Sequence, residues 1–157
     1  MKPLRKILEE IFNEIELNYQ IPENQDAFTF WIKAENTDIS MILSYNDDQQ
    51  VIYCYADFPV KIPKTKQIAV KRAINDINYN YLYATLVLDE SDGQLVARAI
   101  MNTDDGAINS KVVLALIQGC MNIIDGYLKE IMGIIFNTEE VFTEDKIFNH
   151  KVIHGLN

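Results

Sequence analysis

The chain has 157 residues, 48% of them apolar and 24% charged, with a net charge of −9. This length suits one domain with a sizeable core, and the composition excludes a disordered chain. The acidic balance argues against nucleic acid or an anionic membrane as partner, because both would repel it.

After MKPLRK the acidic residues Glu9, Glu10, Glu14 and Glu16 interrupt any apolar leader. No stretch approaches the length of a membrane span, so a cytoplasmic protein is expected. Leu4, Ile7, Leu8, Ile11, Phe12 and Ile15 recur at helical spacing and predict an amphipathic helix over residues 3–17.

Three strands are predicted next, over residues 27–34, 38–45 and 50–58. Phe28, Phe30 and Ile32 share one face of the first; Ile39, Met41, Leu43 and Tyr45 share one face of the second. In the third, Val51, Tyr53 and Tyr55 compete with Ile52, Cys54 and Ala56 for the core side, and both registers stay open. Pro59 and Pro63 in FPVKIPK end this strand, since neither can donate to a ladder. A second helix follows over residues 66–78, with Val70, Ala73, Ile74 and Ile77 on one side.

The clearest signal is the stretch 80–106. Leu82, Ala84, Leu86 and Leu88 alternate before DESDG, and Leu95, Ala97, Ala99 and Met101 alternate after it. Pairing Leu88 with Leu95 sets Leu86 opposite Ala97, Ala84 opposite Ala99 and Tyr83 opposite Ile100, so both apolar sets share one side. Gly93 supplies the turn with positive φ. The alanines leave a trough in which a helix can lie.

That helix is expected over residues 110–135, with Ser110 as N-cap. Its main stripe is Val113, Leu116, Ile117, Cys120, Ile124, Tyr127, Leu128, Ile131 and Ile135. Val112, Met121, Ile123, Met132 and Ile134 add apolar surface beyond one face. Gly119, Gly126 and Gly133 recur every seven residues on one line, which points to close backbone packing, either within the chain or against a second subunit. The tail, residues 137–157, reads as a C-terminal extension; Val141, Phe142, Ile147 and Phe148 offer a short docking segment.

Chemistry is sparse. His150 and His154 are the only histidines, with no third ligand nearby in sequence, so no metal is expected. Cys54 and Cys120 have no nucleophile motif and read as buried free thiols, although a disulfide between them stays open. DESDG resembles the start of a calcium loop, but Ile100 stands where the bidentate Glu is required. No Gly-rich phosphate loop is present, so no cofactor and no catalytic residue is assigned. Two surface features remain. Lys61, Lys64, Lys66, Lys71 and Arg72 form a basic cluster near the second helix, and Tyr79, Tyr81, Tyr83, Val96 and Ile100 form an apolar far side of the hairpin.

The segment FPVKIP entering the second helix, AINDIN at 73–78, and TLVLDESDGQLVARAIM running into the last helix resemble the YbjN-like family of bacterial sensory-transduction regulators. The family shares the type III secretion chaperone-like fold, and the resemblance covers residues 3–135. It implies a small, dimeric protein that binds other proteins without catalysis.

The expectation is therefore an α+β domain over residues 1–136 with the order α-β-β-β-α-β-β-α. Its sheet has five antiparallel strands, with helices mainly on one face. It is a non-catalytic protein-interaction module, chaperone-like or regulatory, and a homodimer that binds neither nucleic acid nor membrane. Its candidate interaction surface comprises Gly119, Gly126, Gly133, Tyr81, Tyr83, Ile100, Lys64 and Lys66. A small-molecule-binding protein or minor enzyme with a pocket between sheet and helices is the alternative.

Overall fold

The computed structural model describes residues 3–103 and 108–137. Helix α1 (Leu4–Glu14) is followed by β1 (Ala27–Lys33), β2 (Asp38–Asn46) and β3 (Val51–Asp57). A 3₁₀ turn (Lys64–Lys66) leads into α2 (Gln67–Asn80), then β4 (Thr85–Leu88), β5 (Leu95–Asn102) and α3 (Ser110–Phe136). The element order matches the expectation. The strands form one antiparallel sheet in the order β1-β2-β3-β5-β4.

One face of the sheet carries the core. Phe28 and Phe30, Ile39, Met41 and Leu43, Leu95 and Ala97 all point into it. In β3 the inward set is Ile52, Cys54 and Ala56, each fully buried, which closes the choice left open by the sequence. The ladders explain it: Cys54 lies between Leu43 and Ala99, and Ala56 between Met41 and Ala97. Small residues thus line up across β3 and β5, and α3 lies in the trough they leave. Val113, Ile117, Cys120, Ile123, Ile124, Leu128, Ile131 and Ile135 are its buried side chains. Ile123 therefore belongs to the buried stripe instead of adding surface beyond it. Both thiols are free and buried; Cys120 Sγ donates to the Cys54 carbonyl at 3.4 Å, and a hydrogen bond with the Cys120 thiol, together with burial, holds the Cys54 thiol well above its ordinary range.

Helix boundaries differ from expectation for identifiable reasons. Helix α1 stops at Glu14 because Glu16 takes a positive φ of 55°, and Leu17 N donates back to the Phe12 carbonyl at 2.9 Å. This is a Schellman-type stop built without glycine. The cap of α3 is Asn109, whose side chain accepts from Val112 N at 3.1 Å; Ser110 is the first helical residue and donates to Glu14 Oε1. The N-terminus of α1 is capped from outside, by Asp47 Oδ1 accepting from Leu4 N at 2.8 Å.

The hairpin register holds where the ladder exists: Leu88 pairs with Leu95, Leu86 with Ala97 and Thr85 with Arg98. Beyond that the expectation fails. Helix α2 runs on to Asn80, with Tyr81 N donating to the Ile77 carbonyl, so residues 81–84 are not strand and Tyr83 does not pair with Ile100. Leu82 is consequently 88% exposed instead of inward. In the turn, Gly93 has φ of 80°, and an added Cβ would fall within the Ile62 carbonyl, which passes over it.

Strand β4 is an edge, and α2 seals it. Asn78 Oδ1 accepts from Leu86 N at 2.8 Å while its Nδ2 donates to Leu86 O at 3.0 Å. One side-chain amide thus takes the place of a sixth strand at that residue.

The three glycines of α3 are not equivalent. A Cβ at Gly119 would sit 2.9 Å from the Tyr83 carbonyl oxygen, whereas at Gly126 or Gly133 it would meet nothing within 4 Å. Close packing inside the chain explains the first and not the other two.

Asn78→Ala should lower the unfolding free energy by about 1–3 kcal/mol, because it orphans two backbone groups. Asn78→Asp should cost at least as much, since its carboxylate faces the Leu86 carbonyl; urea denaturation measures both, and wild-type midpoints would contradict the seal. For α3, Gly126→Ala should stabilise the single chain by up to about 1 kcal/mol through helix propensity. Gly119→Ala should destabilise it, and equal effects in thermal melts would deny the asymmetry.

Candidate functional site

The described helices all pack on the core face, and among the described residues no helix or strand covers the other side of the sheet, called the bare face below. Alternation along each strand decides what this side carries. One row across the strands reads Thr29, Ile42, Tyr55, Arg98, Thr85. Next to it Trp31 pairs with Ser40, and Asp57, Val96 and Val87 continue the row. On the other side Ser44, Tyr53 and Ile100 align. Tyr53 and Tyr55 stack with centroids 6.5 Å apart at 16°.

The apolar content of this face is high for one without a covering layer. Trp31 is 70% exposed and Ile100 52%, while Ile42, Tyr53, Tyr55, Val87 and Val96 are half-buried only by their neighbours. Its charges are few. Burial raises the Asp57 carboxyl above its ordinary range, partly offset by a hydrogen bond with Ser40, and Gln94 Nε2 donates to Asp57 Oδ1 at 3.4 Å. A surface of this kind, aromatic with sparse polar groups, suits contact with another protein better than reaction chemistry.

The residues singled out from the sequence scatter over three places. Ile100 lies on the bare face. Tyr81 does not: it turns inward, its hydroxyl donates to the Gly119 carbonyl at 3.0 Å, and burial pushes its pKa up to about 12. Tyr83 is exposed but packs its backbone against Gly119 and its ring edge-on to Tyr81. Gly126 and Gly133 lie on the exposed side of α3.

The basic cluster is divided among local contacts. Lys66 Nζ donates to the Asn137 carbonyl at 2.7 Å, Lys61 pairs with Asp92 and Lys71 with Glu90, while Lys64 is exposed in the 3₁₀ turn. Trp31 was missed. Its signal was present, since placing Phe28 and Phe30 inward obliges Trp31 to face out.

Among the described residues, no three His, Cys, Asp or Glu side chains converge as a metal site. His150 and His154 lie outside the described residues. A shallow concavity of about 470 Å³ lies on the outer flank of α2, lined by Ile68, Lys71, Arg72, Asn75 and Asp76. The space between sheet and helices, where the alternative reading put a ligand pocket, is occupied by fully buried side chains. Helix α3 is long and apolar enough to span a membrane, but its buried stripe faces the sheet.

Solved structures share this fold. One is "YbjN, a putative transcription regulator from E. coli", at 13% identity and TM-score 0.63, covering 82% of this chain and 93% of that one. Another is the HopA1–SchA chaperone–effector complex, at 16% identity and TM-score 0.55, covering 80% and 92%. A third is the heterodimeric ExoU–SpcU complex from the type III secretion system of Pseudomonas aeruginosa, at 14% and 0.53, covering 82% and 98%. No curated protein sequence matches the chain. Residues 4–131 match the family profile YbjN, described as "Putative bacterial sensory transduction regulator", and the chain belongs to that family.

Proposed function

We propose that this protein is a non-catalytic protein-interaction module, chaperone-like or regulatory, that acts in the cytoplasm as a homodimer and receives a protein partner on the bare face of its sheet. The observation that carries the reading is that face itself: five strands wide, centred on Ile42, Tyr53, Tyr55 and Val96, and flanked by exposed Trp31 and Ile100. Structural neighbours of the same fold are known in complexes with protein partners, HopA1–SchA as a chaperone–effector complex and ExoU–SpcU as a heterodimer. The scarcity of converging polar groups supports binding over catalysis.

Exposed aromatic residues next to a weakly charged apolar centre are the usual anchors of protein interfaces. Trp31 is also the only tryptophan, so its fluorescence reports on this surface alone. A purified partner obtained by affinity capture should shift Trp31 emission to shorter wavelength as the indole leaves water. Trp31→Ala should weaken that partner roughly thirtyfold or more, the scale of a truncated interface anchor. Ile100→Asp should weaken it further, and both variants should keep the wild-type circular dichroism. Unchanged emission together with undiminished binding by the double variant would contradict the reading.

A further inference from the structure

The outward positions of the strands carry the charges Lys33, Asp38, Asp57 and Arg98. Lys33 and Asp38 face each other at the end of the β1–β2 ladder. Asp57 is held by its hydrogen bonds with Ser40 and Gln94. Arg98 is exposed and stands alone: among the described residues nothing accepts from its guanidinium, and no carboxylate pairs with it.

Its position is central. Strand β5 lies inside the sheet, between β3 and β4, where a charge does nothing to guard an edge. Tyr55 is directly across on β3 and Thr85 directly across on β4. Val96 and Ile100 are its neighbours along β5 on the same side. Asp57 is a diagonal neighbour, about 7–8 Å away, a span that a long side chain can bridge. Yet burial raises the Asp57 carboxyl, where a paired guanidinium would lower it. A permanently charged, planar donor thus sits unpaired in the middle of an apolar field.

A partner that covers Trp31, Tyr55 and Ile100 must also cover Arg98. Stripping water from the guanidinium without supplying a counter-charge leaves a buried, unpaired cation, which disfavours the complex. A carboxylate removes that penalty, because its two oxygens match the fork of guanidinium donors. The net charge of −9 sets the opposite limit, since it repels a strongly acidic partner at long range. One carboxylate within an apolar segment that is otherwise neutral or basic satisfies both conditions.

We propose that Arg98 is the specificity-determining residue of the bare sheet face, and that its partner is a protein segment with an Asp or Glu side chain set among apolar residues. The carboxylate docks on Arg98 while the apolar residues cover Tyr55, Ile100 and Trp31. This rests on the sheet-face reading and names the chemistry of the partner.

Random peptides of about twelve residues, displayed against the immobilised full chain, test it; at ~3.3 Å per residue they are long enough to run the roughly 16 Å from Trp31 to Arg98. Peptides retained by wild type and weakened by Trp31→Ala should share an acidic residue flanked by apolar ones. Arg98→Glu should weaken them at least tenfold in fluorescence anisotropy, since carboxylate then faces carboxylate. Replacing the acidic residue of the peptide by Lys should restore binding to Arg98→Glu and abolish it on wild type. That reversal of charge preference is the decisive readout, because a damaged fold would weaken every peptide alike. Peptides that depend on Trp31 but lack an acidic residue, or are indifferent to Arg98→Glu, would overturn the proposal and leave the sheet-face reading standing. A library in which no peptide depends on Trp31 would sink both.

Discussion

How closely α3 can approach the sheet sets most of this structure. Cys54, Ala56, Ala97 and Ala99 are small, and the ladders bring them side by side under the helix. A helix with Ile117, Cys120, Ile124 and Ile131 on one stripe then fills that trough at core density. Larger residues there would hold α3 away and leave its apolar stripe half exposed. With the trough filled, α1 and α2 complete the layer on the same side, and nothing in the described chain remains to cover the other. The bare face follows from one-sided packing.

A one-sided sheet must also manage its edges. Strand β4 is short, and Asn78 occupies both backbone groups of Leu86, so α2 closes that edge while holding its own outer stripe to solvent. At the other edge Gln20 exchanges two backbone hydrogen bonds with Thr29, which covers part of β1 and stops short of Trp31. The sheet face between these edges is broad, aromatic and sparsely charged, the kind of surface another protein covers.

Much of this was legible in the residues. Period-two alternation placed all five strands and the register of Leu86 with Ala97, because a one-residue slip would expose an entire apolar set. What could not be read were choices made by non-local contacts. Both faces of residues 50–58 are apolar, so only Leu43 and Ala99 on either side of Cys54 decide which is inward. The end of α1 depends on Glu16 adopting a conformation that glycine usually marks. Alternation puts Tyr81 in a strand, but α2 runs on to Asn80 and the Tyr81 hydroxyl reaches the Gly119 carbonyl on α3, a contact distant in sequence. The family resemblance supplied the fold and the expectation of protein binding; it did not single out Trp31.

Hydroxyl-radical footprinting of the free protein and of its complex with a purified partner tests the central claim most directly. The account predicts that Trp31, Tyr53 and Tyr55 are oxidised readily in the free protein and become protected in the complex, because the bare sheet face is then covered. Strong protection of Trp31 in the free protein, or unchanged oxidation of all three in the complex, would contradict it.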